Sequence, residues 1–229
     1  MQLKILSWNI WCDCEFPKVC DFLRKADADV IGIQEIVKGD TSRDVAAFLS
    51  RLGYSAVVAS AGPVLKDGRM LLCAVFTKYP IQRSEIHALS QEDTRYGVEA
   101  DIGVENTVLT VFSVHLKHTH KQESPIHSEQ VESLLRRLPA ERVVVMGDFN
   151  AVPEMQSIKR ISEVLVDTDP HSLPTWSLTE GGCDVCKPQG LDTRIDYIFT
   201  SKDLKVNSFT REKAEGSDHL PISVTIDLI

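Results

Sequence analysis

Polar and apolar residues alternate at the start of the chain, where Leu3, Ile5 and Ser7 fall on one side of QLKILSW and Lys4, Leu6 and Trp8 on the other. A period of two marks a strand with two distinct faces. Val19, Phe22 and Leu23 then share one side of a short helix, with Lys18, Asp21 and Arg24 outside. DVIGIQ reads as a buried strand ending at Glu35, and Val45, Phe48, Leu49 and Leu52 give a second amphipathic helix closed by Gly53. Strand patterns follow at Tyr54–Ala59, Met70–Thr77, Ile81–His87 and Tyr96–Val104, in the order of an antiparallel meander.

LTVFSVH carries the chain to His115. Ile126, Gln130, Val131, Leu134, Leu135 and Leu138 recur at helical spacing up to Pro139, and RVVVMG is a buried strand. A short helix around Glu154–Ile161, a strand near Glu163–Asp167 and a long Pro/Gly-rich loop over Asp169–Asp192 come next, the loop being the segment expected to move most. RIDYIFTS, Leu204–Thr210 and a last strand, with Ile222, Val224, Ile226 and Leu228 on one face, complete the pattern. The elements sum to about ten or more strands and four helices, the helices in two groups, one in each half of the chain. Two facing, mainly antiparallel β-sheets, each covered by helices on its outer side, is the economical packing: an α/β four-layer sandwich. A chain of 229 residues with 43% hydrophobic content can bury one such core, so a single domain over 1–229 is expected.

Charge and cysteines narrow the surroundings. A net charge of -8 gives no general attraction to polyanions, which argues against tracking along duplex nucleic acid. Met1 leads straight into the first strand with no apolar stretch or cleavage site, so no targeting segment or membrane anchor is expected. A cytoplasmic monomer is the expectation. The chain has 6 cysteines, too few to replace a core, and reduced thiols are the default. Cys12 and Cys14 form a CxC and Cys183 and Cys186 a CxxC, which could together hold structural zinc; free thiols in a loop are the simpler reading.

The informative feature is a set of polar islands set against the apolar runs: Asn9 in SWNIW, Glu35 in IQE, His115 in VHLKH, Asp148 and Asn150 in GDFN, Asp196 in RIDYIF, and Asp218 with His219 in SDHLP. Unpaired buried carboxylates are costly, so acids, amides and imidazoles at the edges of strand after strand point to one shared polar site. Such a set suits a divalent metal and a phosphate. Asp148 and Asn150 lie two apart, which in extended backbone places both side chains on one face, where they can hold a water; an Asx turn into the next helix is the alternative.

In this order, and over nearly the whole chain, the islands resemble the endonuclease/exonuclease/phosphatase superfamily of magnesium-dependent phosphoesterases. The resemblance implies Glu35 as the main carboxylate on Mg²⁺, with Mn²⁺ able to substitute, and Asn9 and Asp218 completing the metal environment. It implies Asp148 as the group that orients or deprotonates the attacking water, and Asn150 as a hydrogen-bond partner of that water or of a phosphate oxygen. The same resemblance implies that His219 pairs with Asp196 as an imidazolium that meets the developing phosphate charge, and that His115 also donates to the phosphate. SVHLKH replaces the Tyr-Val-Pro-Asn type segment of the apurinic-endonuclease branch, which counts against abasic-site repair.

Arg95, Lys117 and Arg194 stand near the islands and could meet a second phosphate, with exposed surface charge as the alternative. Trp8, Trp11 and Trp176 could stack on a base or pack in the core. His118, His120 and Lys121 lie in a polar loop and read as solvated rather than as a second metal site. A nucleic-acid or nucleotide phosphodiester is the favoured substrate. A phospholipid, inositol phosphate or other small phosphoester is the alternative, and a non-catalytic binding module on the same fold a remote third.

Overall fold

In a computed structural model of the chain, residues 1–13, 15–177, 185–186 and 190–228 are described. The chain runs β1 (Gln2–Asn9), α1 (Phe16–Ala26), β2 (Val30–Val37), α2 (Val45–Arg51), β3 (Ser55–Val58), β4 (Leu71–Thr77), β5 (Ile81–Ala88), β6 (Tyr96–Val104) and β7 (Thr107–His115). It continues with α3 (Pro125–Leu135), β8 (Val143–Asp148), α4 (Gln156–Val164), β9 (Val166–Asp167), β10 (Trp176–Ser177), β11 (Leu191–Thr193), β12 (Asp196–Thr200), β13 (Lys205–Arg211) and β14 (Ile222–Asp227).

Two 6-stranded sheets form, in the orders β13-β14-β1-β2-β4-β3 and β5-β6-β7-β8-β12-β9. Each holds one parallel pair, β1 with β2 and β7 with β8, and is otherwise antiparallel. The alternation read in the sequence sorts side chains into layers. Leu3, Ile5, Val75, Val98, Val111, Val144, Met146, Ile198 and Val224 meet in the core between the sheets. The opposite parity, Leu6, Trp8, Ile31 and Phe76, packs under Val19 and Leu23 of α1 and Val45, Phe48 and Leu49 of α2. Phe112, Val145, Tyr197 and Phe199 pack under Val131 and Leu134 of α3 and Ile158 and Ile161 of α4. Each such buried side chain contributes about 1.5–3 kcal/mol, so the alternating pattern fixes which way every strand faces. The four-layer sandwich is therefore the fold.

Side-chain caps mark the starts of two of the helices. The Asp44 carboxylate accepts the Ala47 amide ahead of α2, and Ser124 accepts the Ile126 amide ahead of α3, with Pro125 in the first turn.

Four expectations change. β3 to β6 are not one meander: at Lys78–Pro80 the chain passes between sheets, with the Lys78 amide bonded to the Asp29 carbonyl just before β2 of the first and the Pro80 carbonyl accepting from Gly103 of β6 in the second. β2 does not stop at Glu35 but runs on to Val37 through a shift in register with β4 between Ile33 and Ile36. α4 extends to Val164, leaving β9 only two residues. The 169–192 loop contains β10 paired with β11, and the expectation of mobility falls largely on 178–184 and 187–189, which lie outside the described residues.

Candidate active site and metal centre

The rows of side chains that face the inter-sheet core change character at one end of the sandwich. In β1 the row Leu3, Ile5, Ser7 ends in Asn9; in β7 Val111 and Ser113 lead to His115; in β8 Val144 and Met146 lead to Asp148. β12 runs antiparallel to β8 and begins there, so Asp196 pairs with Asp148, and His115 pairs with Asp148 from the parallel side. The segment before β14 delivers Asp218 and His219 to the same end, held by the Ser217 hydroxyl, which donates to the Asn9 carbonyl at 2.6 Å and accepts the His219 amide at 3.1 Å. Gly147 is required here: its φ is +149°, and a Cβ would lie 1.9 Å from the Val114 carbonyl oxygen of the neighbouring strand.

Glu35 reaches the site differently. It sits at the β2 irregularity with φ +64°, a left-handed conformation that is uncommon for a non-glycine residue and recurs at functional positions. Gln34 beside it donates across the sheets to Ser113 Oγ at 3.1 Å.

Hydrogen bonds tie the islands together. Asn9 Nδ2 donates to Asp148 Oδ2 at 3.0 Å and to Glu35 Oε1 at 3.3 Å, while its Oδ1 accepts the Trp11 amide. The amide nitrogen, not the oxygen, is thus the end turned toward the carboxylates. Asp148 also accepts from the Asn150 amide at 2.8 Å and from Asn150 Nδ2 at 3.1 Å. Asn150 has φ +49°, so the two side chains meet through an Asx turn and not through extended backbone. His219 Nδ1 donates to Asp196 Oδ2 at 2.9 Å, and the Thr175 hydroxyl donates to the same oxygen at 2.6 Å. His219 Nε2 faces Asp148 Oδ2 at 3.9 Å, and His115 Nε2 approaches that oxygen to 3.4 Å.

Burial raises Asp148 above the ordinary carboxylate range, with Asp196 adding to the shift and His219 opposing it. Burial alone would lower His219, yet Asp196, Asp148 and Asp218 outweigh it and hold the imidazole up to about 10, so it is cationic at neutral pH. His115 behaves oppositely: burial, then the charges of Arg95 and His219, keep it well below the usual imidazole range and neutral.

The donors fit a hard divalent cation. Asp218 is raised by burial and by the charge of Glu35, and its buried Oδ1 has no hydrogen-bond partner among the described residues. Carboxylates that repel one another in a cleft are stabilised by a cation that takes oxygen ligands. Asp148, Asp196 and His219 also bring ligand atoms within 4.8 Å of one another. His219 Nδ1 is already committed to Asp196, however, which leaves Glu35, Asp218 and Asp148 as the residues able to hold the ion.

The islands surround one cleft of about 430 Å³, lined by Glu35, Arg95, His115, Asp148, Asn150, Asp218 and His219, and walled by Trp11, Leu65, His118, His120, Trp176 and Val185. Of the three accessory cations only Arg95 arrives. Arg194 is buried elsewhere, bonded to Asp167 at 2.6 Å and stacked 4.3 Å over the Tyr197 ring, so it does not meet a phosphate. Lys117 pairs with Asp93 at 3.5 Å and does not line the cleft. Trp8 is core, its Nε1 bonded to the His219 carbonyl. Sequence reasoning missed Thr175, for which no local signal exists; it offered Trp176 as a stacking or packing residue but did not foresee that its Nε1 donates to Asp218 Oδ2 at 3.0 Å. It also misjudged His118: rather than being solvated, that ring is half-buried with Nδ1 2.6 Å from Asn150 Oδ1. Cys12 Sγ donates to Glu35 Oε2 at 3.2 Å, whereas Cys186 packs with Trp176 and Ile195, so those two cysteines serve different places; Cys14 and Cys183 lie outside the described residues.

A profile of the endonuclease/exonuclease/phosphatase family matches residues 6–219, and the chain belongs to that family, one of hydrolytic phosphoesterases. Among solved structures it is similar to an endonuclease/exonuclease/phosphatase from Beutenbergia cavernae, at 20% identity and TM-score 0.80 over 99% of this chain and 72% of that one. It is also similar to ANGEL2, a 2′,3′-cyclic phosphatase, at 15% identity and TM-score 0.81 over 99% and 95% of the two chains. The mannosyl-6-phosphatase of Bacteroides thetaiotaomicron aligns at 17% identity and TM-score 0.74 over 99% and 100%. No curated protein matches the sequence. These structural likenesses carry the fold.

Proposed function

We propose that the protein hydrolyses a phosphoester by in-line attack of water, in a reaction that depends on Mg²⁺ with Mn²⁺ as a substitute, and that its substrate is a nucleotide or the end of a nucleic acid. The observation that carries this reading is a buried Asp148 with a raised pKa facing the His219 imidazolium 3.9 Å away in one cleft. A base poised near neutrality can take a proton from water, and a fixed cation beside it can hold the oxygen that gains charge at phosphorus.

Each residue has a distinct task. Asn9 and Asn150 donate to Asp148 and fix the direction of its free lone pairs. Asp196, fixed by Thr175, keeps the proton on His219. Neutral His115 and cationic Arg95 donate to the remaining phosphate oxygens. When bound by Glu35 and Asp218, the cation supplies Lewis-acid stabilisation of the phosphate charge. A cleft of this volume suits a small molecule or a chain end better than a duplex, and Trp11 and Trp176 on its wall offer faces to a base. The charge of -8 favours the same choice. We place the activity in the cytoplasm, on a monomer.

A small phosphoester such as a sugar phosphate is the second reading. It draws on the same cleft volume and on the similarity to a mannosyl-6-phosphatase. A panel of nucleotides, end-labelled DNA and RNA, 2′,3′-cyclic phosphates, sugar phosphates and inositol phosphates, assayed with Mg²⁺ and with chelator, decides between them. Glu35→Gln run beside the wild type should abolish the Mg²⁺-dependent fraction. Hydrolysis that survives both chelator and Glu35→Gln would overturn the proposal.

A further inference from the structure

On the wall of the same cleft three side chains outside the carboxylate set converge. His118 Nε2 lies 3.1 Å from His120 Nδ1, and Cys186 Sγ lies 3.5 Å from each of these nitrogens. We infer that His118, His120 and Cys186 hold a zinc ion, a second and chemically different metal site beside the catalytic cation.

The distances are those of ligand atoms around a common centre. With Zn–N of about 2.0–2.1 Å and Zn–S of about 2.3 Å, a tetrahedron has N···N edges of about 3.3 Å and N···S edges of about 3.6 Å. The observed triangle has sides of 3.1, 3.5 and 3.5 Å.

The tautomer agrees. Asn150 Nδ2 is used as a donor to the Leu116 carbonyl and to Asp148, so Asn150 Oδ1 must accept from His118 Nδ1–H. A neutral His118 then carries a lone pair on Nε2, aimed at His120 and Cys186. This arrangement, in which the far ring nitrogen is held by a fixed acceptor, is the way protein scaffolds orient a metal-binding histidine. Two imidazoles and a thiol select zinc over Mg²⁺, which belongs on the oxygen donors of Glu35 and Asp218. Cys186 is also the second cysteine of a Cys-x-x-Cys, a spacing used by zinc sites; its first cysteine, Cys183, lies outside the described residues. On binding, the Cys186 thiol releases its proton to solvent and ligates as thiolate.

Placed here, the ion joins the loop after β7 to the segment between β10 and β11. It would fix the wall made by His118, Trp176 and Val185, with the His118 and Trp176 rings 5.7 Å apart. Because Asn150 also bonds Asp148, the zinc site and the hydrolytic base share one residue.

Elemental analysis of protein purified without added metal and dialysed against Mg²⁺ should find about one zinc per chain, falling below about a tenth in Cys186→Ser and in His120→Ala. Replacement by Co²⁺ should give a thiolate-to-cobalt charge-transfer band in the wild type and in Cys12→Ser, but not in Cys186→Ser. The Cys12 control is needed because that thiol touches Glu35. Zinc retained by both variants, or a wild type that takes up neither zinc nor cobalt with that band, overturns the inference. If Cys186→Ser fails to fold, the wild-type cobalt spectrum decides alone. None of these readouts depends on turnover, so the zinc site and the proposed hydrolysis can fail separately.

Discussion

On one side of the cleft Asn9, His115, Asp148 and Asp196 stand at the ends of strands from both sheets, each on the face whose other members fill the core. On the other side His118, His120, Trp176 and Cys186 stand on loops or on a strand of two residues, positioned by contacts to each other. The first wall inherits its precision from the sandwich, because moving Asp148 means moving β8 between β7 and β12. The second has no such support and must be pinned by its own chemistry. Hydrolytic groups on the rigid wall and adaptable groups on the loop wall is the arrangement by which one scaffold serves many substrates.

The sharpest way to break this contrast is to alter the rigid wall without altering its shape. Asp148→Asn keeps the volume and removes the proposed base, so kcat should fall by about 10³-fold or more while the far-ultraviolet circular dichroism stays unchanged. His120→Ala on the loop wall should cost less than about tenfold in kcat, since it touches no reacting group. Comparable losses from the two would dissolve the distinction.

A second, smaller effect separates charge from position. Asp196 is the largest of the charges that raise His219 to about 10, so the imidazolium of the wild type persists through neutral pH. In Asp196→Asn the ring should titrate closer to its ordinary value of about 6.5, and the rate, which in the proposed mechanism needs the charged form, should fall as pH rises through that region. We expect kcat to be reduced by about 10²-fold at neutral pH and its alkaline limb to move to lower pH by more than about one unit. A uniformly slower enzyme with an unshifted pH profile would leave Asp196 a merely structural partner.

The same contrast explains what the sequence could reveal. The strand-end wall was legible because a period of two announces which residues share a face, so Asn9, His115 and Asp148 could be placed from the hydrophobic residues before them. Glu35 was legible as a site residue but not in its geometry, because its left-handed backbone arises from register with β4, a tertiary fact. Arg194 looked like Arg95 in the sequence, each a guanidinium near an island. Only the fold turns Arg194 onto Asp167 and Asp169. The HTHK stretch read as solvated because its own neighbours are polar; what covers His118 comes from Trp176 and Cys186, far along the chain.

The smallest expected effect tests the cations that border the two walls. Arg95 lines the cleft, and its buried Nη1 has no hydrogen-bond partner among the described residues, while its nearest carboxylate, Asp93, stays 3.9 Å from Nε. A guanidinium so placed is available to a second phosphate or to a ring oxygen of the substrate, and a hydrogen bond from a charged group contributes about 1.5–3 kcal/mol. Arg95→Ala should therefore raise KM by about tenfold with kcat changed far less, since the contact exists in ground state and transition state alike. Lys117, more exposed and paired with that same Asp93 outside the cleft, should tolerate Ala within about twofold in both constants. Steady-state kinetics on the best substrate of the panel reads both variants. A KM unchanged in Arg95→Ala would remove Arg95 from substrate binding, and a Lys117→Ala effect as large as that expected for Arg95 would mean that the substrate extends past the cleft over the loop after β7.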